Sequence, residues 1–374
     1  MGFLKHVPGT LPIVEKPRHP RALGLGVVGL HEGRTLLLAM NRTSAIYPVA
    51  GCDLSEEKLA ASRSELPDLM YTNDFGELLK HPKVDVVAIY TPDSVHGEQI
   101  VRAFEAGKHV ICTKPIVNSF EDARRILEAG RRSGRRLLVG QSTRFFEPFR
   151  RQRAAFERGE MGEAELVDAH YIHRMDWYYQ KSPWVSKETD WVFLGLSHPI
   201  DLVRWYLGRI RSVQAMSMTS SLGREHAVAG PDVYVVNAIS EQGRLGRAMG
   251  HYGCHELPTA RNCIEMMVYG SRSTSRAQYH DMKYTYLAQD GAEVTEDFLY
   301  AGRHYYFNSE VHGMHYGEFA NYADHFATAI IEGREASPGL EEGVETFCVM
   351  EAVRRSARSG SPVEVAGLLR EVGL

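Results

Sequence analysis

Five short apolar runs punctuate the first 140 residues: Leu23–Val28, Tyr47–Cys52, Val84–Tyr90, His109–Cys112 and Arg136–Gly140. The stretches between them, such as Thr35–Met40 and Glu121–Arg132, have helical character. Brief, continuously apolar segments bounded by turn residues read as strands buried on both faces. Strands that alternate with helices pack as a parallel, doubly wound sheet with right-handed crossovers. An α/β fold is therefore expected, and the carboxyl ends of its strands are where such a sheet binds ligands.

The residues at those ends suit a dinucleotide. The first run enters Gly29-Leu-His-Glu-Gly33-Arg34 and then a helix. Strand, glycine turn and helix in that order form the context a dinucleotide fingerprint requires. Gly29 would make the tight turn, and Gly33 would let the helix N-terminus approach a pyrophosphate. His31 stands where the fingerprint has its second glycine, and the spacing is one residue short. Its ring would crowd the phosphates, stack on the cofactor or hydrogen-bond to it; Arg34 is counted with the same contacts. The second run ends at Asp53, roughly 20 residues past the glycines, where a carboxylate bonds the ribose hydroxyls of NAD and repels the extra phosphate of NADP. Asp53 could also cap the helix that begins near Ser55. Gly107 ends a helix, and Thr113-Lys114-Pro115 then leaves the fourth run at its carboxyl end. Lys114 is thus a cation delivered to the ligand crevice, on a turn stiffened by Pro115.

Ala106-Gly-Lys-His-Val-Ile-Cys-Thr-Lys-Pro115 resembles the AGKHV-x-x-EKP motif of the Gfo/Idh/MocA oxidoreductases, with Thr113 where that family usually has Glu. The resemblance implies that Lys114 lies beside the nicotinamide and helps move the substrate proton. Thr91, Pro92 and His96 match the family's strand-TP-x-x-x-H-helix pattern, with Asp93 or Ser94 as the cap. His96 is expected to pack near the cofactor or hold the turn. Trp191–Gly208 resembles the family's D-x-G-x-H-x-x-D-L-x-R-W-L-x-G helix, matching at Gly195, His198, Asp201, Arg204 and Gly208. Leu194 takes the place of the family's catalytic Asp. Asp190, Asp176 and Glu188 are the carboxylates that could substitute for it. His198 is the expected base, since imidazole titrates near neutrality. Lys114 would polarise the oxygen, and Asp201 is read as structural.

The resemblance runs from residue 22 to about 365. It implies an NAD-binding Rossmann domain over 22–142 and a substrate-binding and oligomerisation α+β domain over 143–374, after an arm over 1–21. In the second domain a linker at Arg144–Pro148 and a helix to about Arg158 precede five strand-like runs: Glu165–Met175, Ile210–Met218, Val233–Ile239, Leu245–Tyr252 and Cys263–Tyr269. These suggest one large, mostly antiparallel open sheet, with helices on one face and another subunit on the other, as a homodimer or homotetramer. Amphipathic helices at Tyr316–Ile331 and Glu341–Ser359 would close the fold and can pack back on the first domain. Arg144, Tyr178, Tyr179, Trp184, His198, His315 and Tyr316 are the substrate candidates. Aromatic faces suit sugar rings, and Arg forks onto hydroxyls or carboxylates.

A formal net charge of −4 over 374 residues implies neither nucleic acid nor an anionic membrane as partner. The N-terminal twenty residues have no long apolar core, and no run approaches membrane-spanning length. Five irregularly spaced cysteines fit a reducing cytoplasm. His251, Cys254, His255, His312 and His315 have the residue types of a zinc site but no recognised spacing, so no metal is expected. The sequence favours an NAD-dependent dehydrogenase acting on a ring hydroxyl of a sugar, glycoside or cyclitol. A redox-neutral enzyme with tightly bound NAD, eliminating from or epimerising a glycoside, is the first alternative. A non-catalytic NAD-binding sensor is the second, motivated by His31, Thr113 and Leu194.

Overall fold

The structure is a computed structural model that describes residues 18–40, 43–187, 190–298 and 318–374, with backbone alone for 181 and 183. The expected arm before residue 18, Glu188, His312, His315 and Tyr316 lie outside the described residues. The described chain divides into two units, 18–145 with 318–344 and 146–298 with 345–374.

The first unit holds strands β1 (Leu23–Val28), β2 (Ile46–Cys52), β3 (Met70–Thr72), β4 (Val86–Ile89), β5 (His109–Thr113) and β6 (Leu137–Gly140). Its helices are α1 (Gly33–Ala39), α2 (Glu56–Glu65), α3 (Phe75–Lys80), α4 (His96–Glu105), α5 (Phe120–Ser133) and α10 (Glu318–Ile331). The strands run in the order β3-β2-β1-β4-β5-β6, all pairs parallel. This is the doubly wound Rossmann order, whose strand sequence reverses between β1 and β4. The elements form where side chains and caps agree. Helix α5 is capped by Ser119 accepting from Asp122 N–H, and ends on Gly134 in the left-handed region. Strand β2 tolerates Pro48 because its register against β1 slips there and β3 pairs only with residues 50–52. The core is filled from far along the chain: Phe319, Tyr322 and Phe326 of α10 pack among Leu25, Val27, Leu36 and Ile111.

The second unit begins with α6 (Glu147–Glu157) and β7 (Ala164–Ile172), then α7 (Asp176–Lys181) and α8 (Ser197–Leu207). It continues with β8 (Ile210–Met218), α9 (Ser221–Glu225), β9 (Val233–Ser240), β10 (Leu245–His251), β11 (Cys263–Gly270), β12 (Thr274–Gln278), β13 (Lys283–Leu287) and β14 (Glu293–Asp297). Helix α11 (Leu340–Ser359) starts among residues of the first unit and continues into this one, where β15 (Val363–Glu364) and α12 (Ala366–Val372) follow. The sheet order is β14-β13-β12-β11-β7-β10-β9-β8-β15. Every neighbouring pair is antiparallel except β7 with β10. β7 therefore lies mid-sheet, with Val167 and Ala169 on the buried face towards α8.

Three local expectations are corrected. Asp93 and Ser94 do not cap α4: Asp93–Val95 form a separate 3₁₀ turn, and the residue before α4 makes no side-chain cap. The helix expected from Trp191 starts only at Ser197, with turns before it. β12 to β14 extend the sheet beyond the five runs expected. No helix among the described residues is long and apolar enough to cross a membrane.

Candidate active site

In the first unit the loop after β1 is built around glycine. Gly29 has φ +87°, and a Cβ there would fall 2.6 Å from the Tyr90 carbonyl oxygen. Its amide donates to the Cys52 carbonyl at 2.9 Å, and the Leu30 amide donates to Asp53 Oδ2 at 2.7 Å. The loop is thereby tied to the end of β2. Asp53 Oδ1 accepts from Ser55 N–H at 2.9 Å, and Lys58 Nζ lies 3.6 Å from Oδ2. The capping residue of α2 is Ser55, which corrects the capping role considered for Asp53. A carboxylate offers about four acceptor positions, so these three contacts leave room for a hydroxyl.

Gly33 also has a packing reason to be bare. A Cβ there would meet Val27 Cγ1 at 2.6 Å and Tyr90 Cβ at 3.2 Å, so it seats α1 against the sheet. Arg34 is turned to Glu65 at 3.3 Å. His31 is surface-exposed, its Nε2 4.0 Å from Glu32. Thr91 Oγ1 donates to Gln99 Oε1 at 2.6 Å. His96 is buried, with Nδ1 2.8 Å from the Pro115 carbonyl and Nε2 2.8 Å from that of Thr91. The ring clips the turn after β4 to the turn after β5. Burial pulls its pKa down, against the two carbonyls and nearby Asp93.

Thr113 closes β5 with its Oγ1 donating to the Ile89 carbonyl at 3.2 Å. Lys114 follows, half-buried, and its peptide bond to Pro115 is cis. Removal of the ammonium from water lowers its pKa to about 8, with the buried Asp93 carboxylate opposing. Arg144 is buried, its guanidinium 3.1 Å from Ser337 Oγ and 3.3 Å from Glu342 Oε2. Those contacts fasten the turn after β6 to the start of α11, which weighs against the open fork expected for substrate.

In the second unit His198 sits buried in the first turn of α8, edge-on to Tyr171 at 5.7 Å between ring centroids. Tyr171 meets Tyr252 edge-on at 5.5 Å, and Tyr252 stacks on Trp191 at 4.4 Å. Gly195 makes this possible, since a Cβ there would fall 2.2 Å from the Tyr252 ring. Leu194 is buried in the turn before the helix. The described carboxylates considered as its substitutes are engaged elsewhere. Asp190 Oδ1 accepts from the Tyr234 hydroxyl at 2.7 Å and Val192 N–H at 3.0 Å. Asp176 is paired with Arg174 at 2.7 Å and accepts from Trp177 N–H at 3.0 Å. Asp201 is buried on α8. Arg204 bonds Thr346 Oγ1 at 2.5 Å and pairs with Glu345, which Arg209 also meets at 2.9 Å.

Tyr178 and Trp184 are half-buried. Tyr179 is interior: its hydroxyl accepts from Trp191 Nε1 at 2.9 Å and its ring lies 5.0 Å from that of His226. That packing accounts for it without a substrate. Two residues not foreseen are His173 and Glu256, with Nδ1 and Oε1 2.7 Å apart. The signal was available: Val167, Ala169, Tyr171 and His173 alternate onto one face. Among the described residues no three His, Cys, Asp or Glu side chains are grouped as a metal site.

Comparison with known proteins follows these two sets of residues. The family model described as "Oxidoreductase family, NAD-binding Rossmann fold" matches residues 23–141. That described as "Oxidoreductase family, C-terminal alpha/beta domain" matches residues 153–365. The chain belongs to the Gfo/Idh/MocA oxidoreductase family. Curated Gfo/Idh/MocA relatives include a 1-carboxy-3-chloro-3,4-dihydroxycyclohexa-1,5-diene dehydrogenase of Comamonas testosteroni, 31% identical over 54% of this chain and 50% of that protein. An inositol 2-dehydrogenase of Acidothermus cellulolyticus is 31% identical over 57% of this chain and 59% of that protein. The chain thus matches between half and three fifths of the length of these relatives. Among solved structures, a levoglucosan dehydrogenase in complex with NADH and levoglucosan superposes with a TM-score of 0.77 at 22% identity, covering 92% of this chain and 99% of that one. That likeness is one of fold.

Proposed function

We propose that this Gfo/Idh/MocA protein is an NAD-dependent dehydrogenase that oxidises a ring hydroxyl of a sugar, glycoside or cyclitol. The observation that carries the reading is Lys114: a half-buried ammonium of lowered pKa at the carboxyl end of β5, in a unit of the NAD-binding fold. The relatives' names, an inositol and a levoglucosan dehydrogenase among them, support the substrate class. Residues 22–142 are proposed as the cofactor-binding domain and 143–374 as the substrate and oligomer domain, with helix α10 of the latter stretch packing back on the first domain.

The glycine loop and Asp53 fit NAD. Gly29 lets backbone pass where a side chain would not, and Asp53 keeps an acceptor position for a ribose hydroxyl. Its negative charge disfavours NADP. Gly29, His31, Gly33, Thr91, Pro92 and His96 complete the proposed cofactor set, His96 by fixing the turn that carries Lys114. NAD, when bound, supplies the hydride acceptor. Protonated Lys114 stabilises negative charge growing on the substrate oxygen, and His198 accepts the hydroxyl proton. Tyr178 and Trp184 offer aromatic faces to the ring.

The outer face of the large sheet is proposed to bind a second copy. Cross-strand register lines up Met216, Val235 and Met249 in one row and Met218 and Val233 in the next. Met216 and Met218 are 67% and 58% exposed. Five free cysteines suit a reducing cytoplasm.

The test is NADH formation followed optically with a panel of cyclitols, hexoses and anhydrosugars. Turnover with at least one is expected, and Lys114→Ala should lower it by about 10²-fold or more. A protein that binds NAD and reduces none of it across the panel would remove this reading.

A further inference from the structure

We propose that Asp93 is a positioning residue for the reaction: its buried carboxylate is the counter-charge that holds the Lys114 ammonium at the end of β5. The inference rests on the dehydrogenase reading above and deepens it, since it names the group that keeps the polarising cation charged.

Asp93 lies beyond β4 and Lys114 beyond β5, and the two strands are neighbours in the sheet. Ile89 pairs with Cys112, so Thr91 and Lys114 stand level, each two residues past that pair. The two turns are fastened together by His96, whose ring nitrogens lie 2.8 Å from the carbonyls of Thr91 and Pro115. Asp93 belongs to the 3₁₀ turn between Thr91 and His96 and is 3% exposed. Its carboxylate is not spent on capping α4. A carboxylate taken out of water needs a cation or donors close by. The charge of Asp93 acts on Lys114, raising its pKa against the burial that lowers it to about 8.

The other titratable groups at these strand and helix ends do not fill this part. His96, at the start of α4, feels Asp93 too, but burial lowers its pKa and keeps the ring neutral. Thr113 brings no charge where the motif it resembles has a Glu, and its hydroxyl donates to the Ile89 carbonyl at 3.2 Å. Cys112, in β5, is a thiol whose pKa burial raises well above the ordinary value. Asp122, at the start of α5 beside Gly97, meets Arg125 at 2.9 Å and accepts from Ser119 Oγ at 3.0 Å. Its neighbour Glu121 is exposed, and Glu98 of α4 lies 3.7 Å from Arg102. A counter-charge beside Lys114 has two effects. It offsets the cost of desolvating the ammonium, and it restrains a flexible side chain. Both favour a charged nitrogen in place before negative charge grows on the substrate oxygen.

The titration of Lys114 tests this directly. Full-length protein labelled with carbon-13 at lysine Cε gives a resonance for each lysine, and the signal lost in Lys114→Met is that of Lys114. Its midpoint should lie near pH 8. Asp93→Asn keeps the shape of the side chain and removes its charge, and should lower that midpoint by about one pH unit. Asp93→Ser, smaller and equally uncharged, gives the same reading should the amide not fit the turn. Asp93→Glu, which keeps the charge, should bring the midpoint back towards that of the wild type. A side chain that merely shaped the turn would leave the titration unmoved in all three. In kinetics the alkaline limb of kcat should move down with the midpoint. The ratio of wild-type to Asp93→Asn rates should therefore grow about sevenfold between about pH 6.5 and 9. A Lys114 midpoint unmoved in Asp93→Asn and Asp93→Ser overturns the proposal, as does an alkaline limb that stays in place while the midpoint moves. A midpoint that shifts in a protein forming no NADH from any cyclitol, hexose or anhydrosugar sustains the pair and overturns the dehydrogenase reading instead.

Discussion

Lys114 is a charge held where water is scarce, and that has an energetic sign. Its pKa is about 8 in the folded protein, against an ordinary lysine value near 10.5. Below pH 8 folding must bury the charged form, which destabilises the native state. The unfolded chain binds the extra proton between about pH 8 and 10.5, so stability recovers as pH rises through that window. Lys114→Met should therefore match or exceed the wild type in melting temperature at pH 7, with the gap closing towards pH 10, while NADH formation is lost. A melting temperature several degrees below wild type at pH 7 would contradict this. Wild-type turnover should decline as pH rises past about 8, when the polarising charge is lost. Gly29→Ala is the opposite case: φ +87° and a 2.6 Å approach to the Tyr90 carbonyl make any side chain strained. A loss of about 1–3 kcal/mol in urea unfolding, with weakened NAD titration, is expected. Gly29 and Lys114 could be read from the sequence because strand ends announce themselves through glycine and proline. The ion pairs of Arg34 and Arg144 could not be read, because their partners lie far off in sequence: Glu65 for one, Glu342 for the other. The alternation that places His173 beside Tyr171 is visible in the sequence, but its pairing with Glu256, 83 residues later, is made only by the tertiary fold.

At the scale of elements, the alternating strands and helices of the first unit were legible because its strands are continuously apolar. Met70–Thr72 was not, being three residues long and pairing only at the tip of β2. The parallel pairing of β7 with β10 could not be read either, since pairing depends on which strand the chain meets last. The packing of α8 on α11 was equally invisible, although half of its key pair, Arg204, is a motif residue. Arg204 and Glu345 are nearly buried, with side chains 6% and 14% exposed. Removing one member of a buried pair strands the other, which costs about 3–5 kcal/mol. Glu345→Ala should lower stability by that order in denaturant melts, and Arg204→Met with Glu345→Leu should return much of it. Equal melts for the single and double variants would show that the pair contributes by packing alone.

At the scale of the whole molecule, the large sheet presents apolar rows on its outer face. Met216→Lys with Met218→Lys should lower the mass measured by light scattering to that of a single chain without altering the far-ultraviolet spectrum. An unchanged mass would remove that face from the assembly. The first unit carries its own lesson for anyone wishing to study it in isolation. Phe319, Tyr322 and Phe326 come from a helix almost two hundred residues downstream of β6, yet they sit among the side chains of the sheet. A fragment stopping at residue 142 would leave a greasy wound where that helix belongs, and should bind a hydrophobic dye. Splicing 318–344 back through a short linker should heal it, so the cofactor half is best excised as two pieces of gene rather than one.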